Sequence, residues 1–287
     1  MKRILVATDF SERSDRALRR AILLARQFGA GIALVHVVDD DQSSRIVEAE
    51  RAEAETLLRQ TAATLRTVDG VACDARVLLS APFVGIAEAV EDEAPDLLVI
   101  GPHRRQMLRD VFVGTTAERT IRSVDCPVLM VNAPPAGPYR HVLQTTDLSN
   151  GSRDALQRFP ALGIGRRART SMLHVFDAPA LNLAFGDSMP KEDREHYLAQ
   201  ERKEAGRALS SFIAAAGLGE VEPLVRHEAT SAGSEILAAA EEEQADLIVL
   251  STHGRSGLAR MLIGSVTEQV LRTSPVDVLA IPPLQEE

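Results

Sequence analysis

The sequence is short of cysteine and aromatic residues: 287 residues include two cysteines, no tryptophan and 3% aromatics in total. Two cysteines, Cys73 and Cys126, cannot form a disulfide framework or a complete zinc site by themselves, which is typical of a reducing compartment. The low aromatic content argues against base-stacking platforms and against aromatic troughs that bind sugars.

Long apolar runs are also missing. No run reaches the roughly 18 residues that a membrane-spanning helix requires. The first ten residues, MKRILVATDF, pass into a strand-like run without the long apolar region of a secretory signal. We therefore expect a cytoplasmic protein with no membrane span.

Positive charge is in deficit, since 32 Lys and Arg face 41 Asp and Glu and the formal net charge is −9. Proteins that bind nucleic acid normally carry a basic stripe, so we expect no nucleic-acid partner. A metal site also lacks support, because no pair among the seven histidines has ligand spacing on one element. At about 150 residues per domain, the length indicates two domains.

The sequence repeats itself once. Residues 2–21 are echoed by residues 140–159, at an offset of 138 that aligns Asp9 with Asp147. Further along, residues 94–129 match the second copy without a gap at an offset of 150. Chance similarity does not hold register over so many positions, so we expect one domain used twice.

The larger second offset places an insertion of 12 residues between the second and fourth strands of copy two. The Pro/Gly-punctuated segment Ala178–Asp193 is longer than its counterpart, and is interpreted as either a mobile flap or a partner contact. The Pro/Gly segment Ala133–Pro138 is the expected linker. The predicted domains are residues 1–135 and 136–287.

Short runs rich in Val, Ile and Leu alternate with helical patterns. Such runs are typical of parallel strands buried on both faces, and the β-α alternation predicts an open, doubly wound α/β sheet in each half. Ser11 is the expected N-cap of the first helix and Gly29 its end, while Pro160 should kink or stop the equivalent helix in copy two. The expected strands of copy one are Ile4–Ala7, Gly31–Val38, Ala75–Leu79, Leu97–Gly101 and Val128–Val131, and the expected helices are Ser14–Phe28, Arg45–Thr67, Pro82–Glu93 and Thr115–Ser123.

An open parallel sheet binds ligands at the carboxyl ends of its strands, where the strand order reverses. Here Asp9 and Asp147 follow the first strand of each copy, and a glycine-containing segment follows the fourth. Glycines let the backbone approach an anion, and a Gly-Thr or Gly-Ser pair that opens a helix offers N–H groups and a hydroxyl, usually to phosphate. Neither G-x-G-x-x-G nor G-x-x-x-x-G-K-[ST] is present, which argues against a dehydrogenase and an ordinary P-loop NTPase.

These features resemble the universal stress protein family in its tandem two-domain form, over nearly the whole chain. Nucleotide-binding members of that family carry G-x2-G-x9-G-[ST] after the fourth strand. A small residue replaces one glycine in copy two, whereas a large cation replaces one in copy one. The two segments read Ser251-x2-Gly254-x9-Gly264-Ser265 and Gly101-x2-Arg104-x9-Gly114-Thr115.

The resemblance implies two tandem Rossmann-like domains of the adenine nucleotide alpha hydrolase-like type. Each would be an open five-stranded parallel sheet of order 3-2-1-4-5 with helices on both faces. The two fifth strands would pair antiparallel within the chain, and two chains would associate as a homodimer.

The resemblance further implies that ATP or ADP, with or without Mg²⁺, binds chiefly in domain 2. The Asp after strand one would lie near the ribose and base, and the valine after the strand-two histidine would contact adenine through its backbone. Arg104 would either clamp a phosphate or fill its space; His253 would either bond a phosphate or orient the turn. The expected site residues are Asp147, Val175, Ser251, His253, Gly254, Gly264, Ser265 and Val266 in domain 2, and Asp9, Val37, Gly101, Arg104, Gly114, Thr115 and Thr116 in domain 1.

We therefore expect a nucleotide-responsive stress regulator or sensor with an unidentified regulatory protein partner. No dedicated general base stands out, so we assign no catalytic residue and expect at most slow ATP hydrolysis. Two alternatives stay open: a nucleotide-free interaction module, which Arg104 favours, and a small-molecule or lipid carrier with segment 178–193 as its lid. Asp9 and Asp147 also have a structural alternative, because an Asp before a helix can cap it.

Overall fold

The computed structural model describes residues 1–102, 116–182, 189–252 and 263–282. Each half of the chain alternates strands with helices. The first half contains β1 (Arg3–Ala7), α1 (Glu12–Phe28), β2 (Gly31–Val38), α2 (Ser44–Thr67), β3 (Cys73–Leu79), α3 (Pro82–Glu93), β4 (Leu97–Ile100), α4 (Thr116–Ser123) and β5 (Val128–Met130). The second half contains β6 (His141–Thr145), α5 (Asn150–Leu162), β7 (Arg169–Phe176), α6 (Pro179–Asn182), α7 (Lys191–Ala216), β8 (Glu222–His227), α8 (Ala232–Glu242), β9 (Leu247–Ser251), α9 (Ser265–Thr273) and β10 (Asp277–Ile281).

These strands form one ten-stranded sheet in the order β3-β2-β1-β4-β5-β10-β9-β6-β7-β8. Within each half the pairings are parallel, and the order is the 3-2-1-4-5 that the resemblance implies. The predicted tandem α/β fold is therefore confirmed. The order reverses between β1 and β4, and again between β6 and β9, so each half has one crevice at the carboxyl ends of its strands.

The sheet is covered on both faces, which explains why its central strands are apolar throughout. One layer of buried side chains joins the sheet to α1, α2, α5 and α7, and includes Ala17, Leu58, Leu156 and Leu209. The other joins it to α3, α4, α8 and α9. Because folding removes the apolar side chains on both faces of the sheet from water, each central strand contributes to stability along its whole length.

The predicted N-cap and C-terminal residue of α1 are confirmed, whereas the predicted effect of Pro160 on α5 is not. Ser11 caps α1 by accepting a hydrogen bond from the Ser14 N–H, and Gly29 ends the helix at φ 66°. Pro160 does not stop α5: the helix continues to Leu162 and ends at Gly163, at φ 73°. The predicted stop therefore comes two residues after Pro160, and a kink at Pro160 stays a prediction.

The two halves meet along their fifth strands. β5 pairs antiparallel with β10, with Leu129 opposite Leu279. Beside this seam, α4 and α9 exchange ion pairs: Arg272 binds Glu118 with N–O distances of 2.7 and 3.1 Å, and Arg122 lies 3.5 Å from Glu268. A glutamate of α4 thus pairs with an arginine of α9, and an arginine of α4 pairs with a glutamate of α9. This exchange gives the seam an approximate two-fold symmetry.

A second contact between the halves has no such symmetry. The carboxylate of Asp277, at the start of β10, is fully buried and accepts hydrogen bonds from the Tyr139 hydroxyl at 2.6 Å and from Arg20 Nε at 3.2 Å. Arg20 also donates to the carbonyl of Gly137 in the linker. This cluster therefore ties α1, the linker and β10 together.

Candidate functional site

Each crevice holds a cleft, and the predicted residues gather there. The first cleft, of about 570 Å³, is lined by Asp9, Val37, Gly101 and Thr116 among others. The second cleft, of about 330 Å³, has six predicted residues in its lining: Asp147, Val175, Ser251, Gly264, Ser265 and Val266. Arg104, Gly114, Thr115, His253 and Gly254 lie outside the described residues.

Asp9 and Asp147 each fix the turn that leads from the first strand into the first helix. Oδ1 of Asp9 accepts from the Ser11 N–H at 3.0 Å, and Oδ1 of Asp147 accepts from the Ser149 N–H at 3.0 Å. The residues that cap the helices are Ser11 and Ser149. Capping therefore does not explain the two aspartates, whose role in the turn still leaves both at the cleft wall.

The first cleft contains a charged pair. Oδ2 of Asp9 lies 3.8 Å from Nη2 of Arg13, and the Asp9 side chain is 62% exposed. Partial burial acts to raise the pKa of Asp9, but hydrogen bonds from Ser11 and Ser14 and the charge of Arg13 outweigh it, so the pKa is lowered. Asp9 is therefore ionised at neutral pH.

A histidine beside each cleft joins the second strand of that half to the end of the first strand, β2 to β1 and β7 to β6. Nδ1 of His36 lies 2.8 Å from the carbonyl oxygen of Thr8, and Nδ1 of His174 lies 3.0 Å from that of Thr146. These bonds give both histidines a structural role between neighbouring strands. They also position Val37 and Val175, the next residues along, in the lining of the two clefts.

The two copies differ where the fourth strand ends. A Cβ on Gly101 would lie 2.8 Å from the backbone carbon and oxygen of Arg13, so only glycine lets α1 come this close to the end of β4. The matching position in copy two is Ser251, where a Cβ is accommodated at the end of β9. The carbonyl of Ser251 accepts from Thr267 Oγ1 at 2.9 Å, which fixes the first turn of α9.

The start of α9 offers backbone donors to the second cleft. Its N-cap is Gly264, which has no side chain to accept from the first N–H groups, whereas α1, α5 and α8 are all capped by serine. Among the residues that the structure describes, no atom lies within 4 Å of a Cβ built on Gly264, so these residues leave the space beside it open. An uncapped helix start with open space in front of it suits an anion, because its N–H groups and dipole both attract negative charge.

Two polar residues of the first cleft were not predicted from the sequence. Nε of Arg13 and Oγ1 of Thr120 are buried without a hydrogen-bond partner in the described part of the chain, and Thr120 is fully buried. Their counterparts in copy two are Gly151 and Val270. Alignment of the two copies would have singled out both positions, since each replaces a polar side chain with a non-polar residue.

The described residues contain no group of three or more His, Cys, Asp or Glu side chains able to hold a metal ion. No helix within these ranges is long and apolar enough to cross a membrane. The two cysteines are free thiols, and burial raises the pKa of Cys73 to about 11 and that of Cys126 to about 12.

Comparison with known proteins identifies relatives of both halves. A model of the universal stress protein family matches residues 1–132 and again residues 138–282. Universal stress protein E of Escherichia coli is 24% identical, with 98% of this chain and 94% of that protein covered. A universal stress protein of Methanocaldococcus jannaschii is 30% identical over 46% of this chain and 83% of that protein. A solved universal stress protein from Archaeoglobus fulgidus has a TM-score of 0.70 at 20% identity, covering 98% of this chain and 96% of the other, which shows a shared fold across both halves.

Proposed function

The chain belongs to the universal stress protein family, and we propose that it binds ATP or ADP, with or without Mg²⁺, chiefly in its second cleft. The observation that carries the proposal is the uncapped start of α9 behind the open space at Gly264. The described lining of this cleft has no Lys or Arg side chain, so backbone N–H groups and the helix dipole are the means that these residues offer for holding phosphate.

The remaining residues of the second cleft have roles that follow from their places in it. Ser265 and Val266 open α9 and would donate backbone N–H groups to phosphate, with the Ser265 hydroxyl beside them. Asp147, at the end of β6, would accept from the ribose hydroxyls, and Val175 would contact the adenine. His253 and Gly254 complete the spacing Ser251-x2-Gly254-x9-Gly264-Ser265, and we assign them to the same site.

The first cleft is proposed to be the weaker nucleotide site. It is the larger of the two, at about 570 Å³ against 330 Å³, but volume alone does not bind phosphate. Arg104 replaces a glycine of the motif there, while Gly101, Gly114, Thr115 and Thr116 keep the rest of it. Asp9 and Val37 would contact ribose and base if nucleotide enters.

The cellular role that we propose is that of a cytoplasmic, nucleotide-responsive stress regulator. Its two domains would divide at residues 135 and 136, within the linker that separates the two family matches. Two chains would form a homodimer. Nucleotide binding would shift the conformation of a surface that a regulatory protein partner recognises. We assign no catalytic residue.

Titration calorimetry with ATP, combined with mass spectrometry of any nucleotide released on denaturation, tests the proposal. Gly264→Trp should weaken ATP binding about a hundredfold, because the indole would occupy space at the start of α9 where phosphate is proposed to lie. Gly206→Trp is the matched control, since its Cβ also meets nothing within 4 Å but lies on α7, away from the cleft. Gly114→Trp should change affinity little. Absence of bound and titratable nucleotide in the wild type would refute the proposal.

A further inference from the structure

A third cleft, of about 680 Å³, lies between the two halves and shares no lining residue with the other two. We call it the arginine cleft. Its walls are the second half of α1, the linker segment 137–139 and the turn 163–167 that joins α5 to β7. It is therefore built by both halves and by the linker that joins them.

Four arginines line this cleft, and none of its described lining residues is acidic: Arg20, Arg26, Arg166 and Arg167. Arg20 and Arg26 are neutralised by Asp277 and Asp69, at 3.2 and 2.8 Å. Arg166 and Arg167 are exposed and form no ion pair with any residue that the structure describes. In a protein of net charge −9, two adjacent uncompensated cations at a cleft wall are suited to an anionic partner.

The α1 and linker wall of the cleft carries apolar residues beside Arg20, Arg26 and Gln27. Leu23, Leu24 and Phe28 contribute side chains from α1, and Pro138 and Tyr139 contribute from the linker. Gly163 lies against Phe28, since a Cβ there would be 3.0 Å from Phe28 Cε1, so the turn that carries the two arginines packs directly on this wall. Positively charged and apolar side chains therefore line the same cleft. A purely inorganic anion would contact the charged side chains and leave the apolar ones without a partner.

We propose that the arginine cleft binds an anionic amphiphile, with a phosphate or carboxylate head on Arg166 and Arg167 and an apolar body against Leu23 and Phe28. Guanidinium groups bind both head groups through paired N–H donors, so the head alone does not separate an organic phosphate from a fatty acid. The site is independent of the nucleotide clefts. A ligand there would contact both halves and the linker, and would stabilise their arrangement.

The test is calorimetric titration of the full chain with two probes, 1-naphthyl phosphate and dodecanoate, each in the presence of saturating ATP. At least one probe should bind with a stoichiometry of one, and the tighter of the two identifies the head group. Arg166→Gln/Arg167→Gln should weaken that binding about tenfold or more, because two charge-assisted hydrogen-bonding groups are lost.

Arg202→Gln/Arg207→Gln, with the same change in charge on exposed positions of α7, should leave the affinity within about twofold. Leu23→Glu should also abolish binding by placing a carboxylate among the apolar side chains of the cleft, and circular dichroism will show that each variant folds. The proposal is overturned if neither probe binds the wild type, if ATP displaces the probe, or if Arg166→Gln/Arg167→Gln binds as tightly as the wild type.

Discussion

The first and second clefts have the same architecture but different side chains. In both clefts an aspartate follows the first strand, and a histidine of the second strand contacts a backbone carbonyl at the end of the first strand. The start of a helix lies opposite. The first cleft adds Arg13 and Thr120, where the second has Gly151 and Val270. Duplication therefore kept the turns that shape the cleft and changed the groups that a ligand would meet. The different affinities that we propose rest on Arg104 in the first site and on the start of α9 in the second.

The seam between the halves shows the same divergence and provides the largest expected effect on stability. Glu118 is 3% exposed in its ion pair with Arg272, whereas Glu268 is 31% exposed beside Arg122. Arg272→Ala leaves a buried carboxylate without its main cation and should lower the free energy of unfolding by about 3 kcal/mol. Arg122→Ala, the symmetry-related control, should lower it by about 0.5 kcal/mol. Urea unfolding measures both, and equal losses would contradict the asymmetry.

The ends of the fourth strands give the next largest effect. Gly101→Ala puts a Cβ 2.8 Å from the Arg13 backbone, so α1 must move and stability should fall by about 2 kcal/mol. Ser251→Ala makes the matched change in copy two, where a Cβ is already accommodated, and should cost under about 1 kcal/mol. Thermal unfolding of the two variants compares them, and a tolerated Gly101→Ala would show that α1 is not held closely against β4.

A smaller effect concerns pH. Burial acts to raise the pKa of Asp96, but hydrogen bonds from the Lys2 and Arg3 N–H groups outweigh it, so its pKa is lowered in the folded protein. The stabilisation is therefore present at neutral pH and is lost as pH falls below about 4, through the folded pKa. Asp96→Asn should reduce the drop in Tm between pH 5 and pH 3, whereas Asp40→Asn, at an exposed loop position, should not. An unchanged acid dependence in Asp96→Asn would contradict this assignment.

The periodicity and the duplication were enough to predict an open α/β sheet in each half, because buried parallel strands and capped helices are local patterns. The strand order 3-2-1-4-5 was implied by the family resemblance. Ser11 and Gly29 end α1 as predicted, and α3 has the predicted bounds Pro82–Glu93. The end of α5 was predicted only approximately, because the effect of Pro160 depends on its distance from the helix end, which the sequence alone did not define.

The candidate site could be predicted in part. Asp147, Val175 and Gly264 line one cleft, as the family resemblance implied. Arg13 and Thr120 were missed because a charged residue in a first helical turn and a threonine in an amphipathic helix look like ordinary surface and core positions. The arginine cleft was missed for another reason: its walls come from segments more than 100 residues apart, and only tertiary structure brings them together.

The central claim, that nucleotide binds chiefly in the second cleft, is tested most directly by photolabelling with 8-azido-ATP followed by peptide mapping. Labelled peptides should come from residues 136–287, and unlabelled ATP should protect them. Gly264→Trp should remove this label, while Gly206→Trp should retain it. Labelling confined to residues 1–135, or labelling that ATP does not prevent, would contradict the assignment.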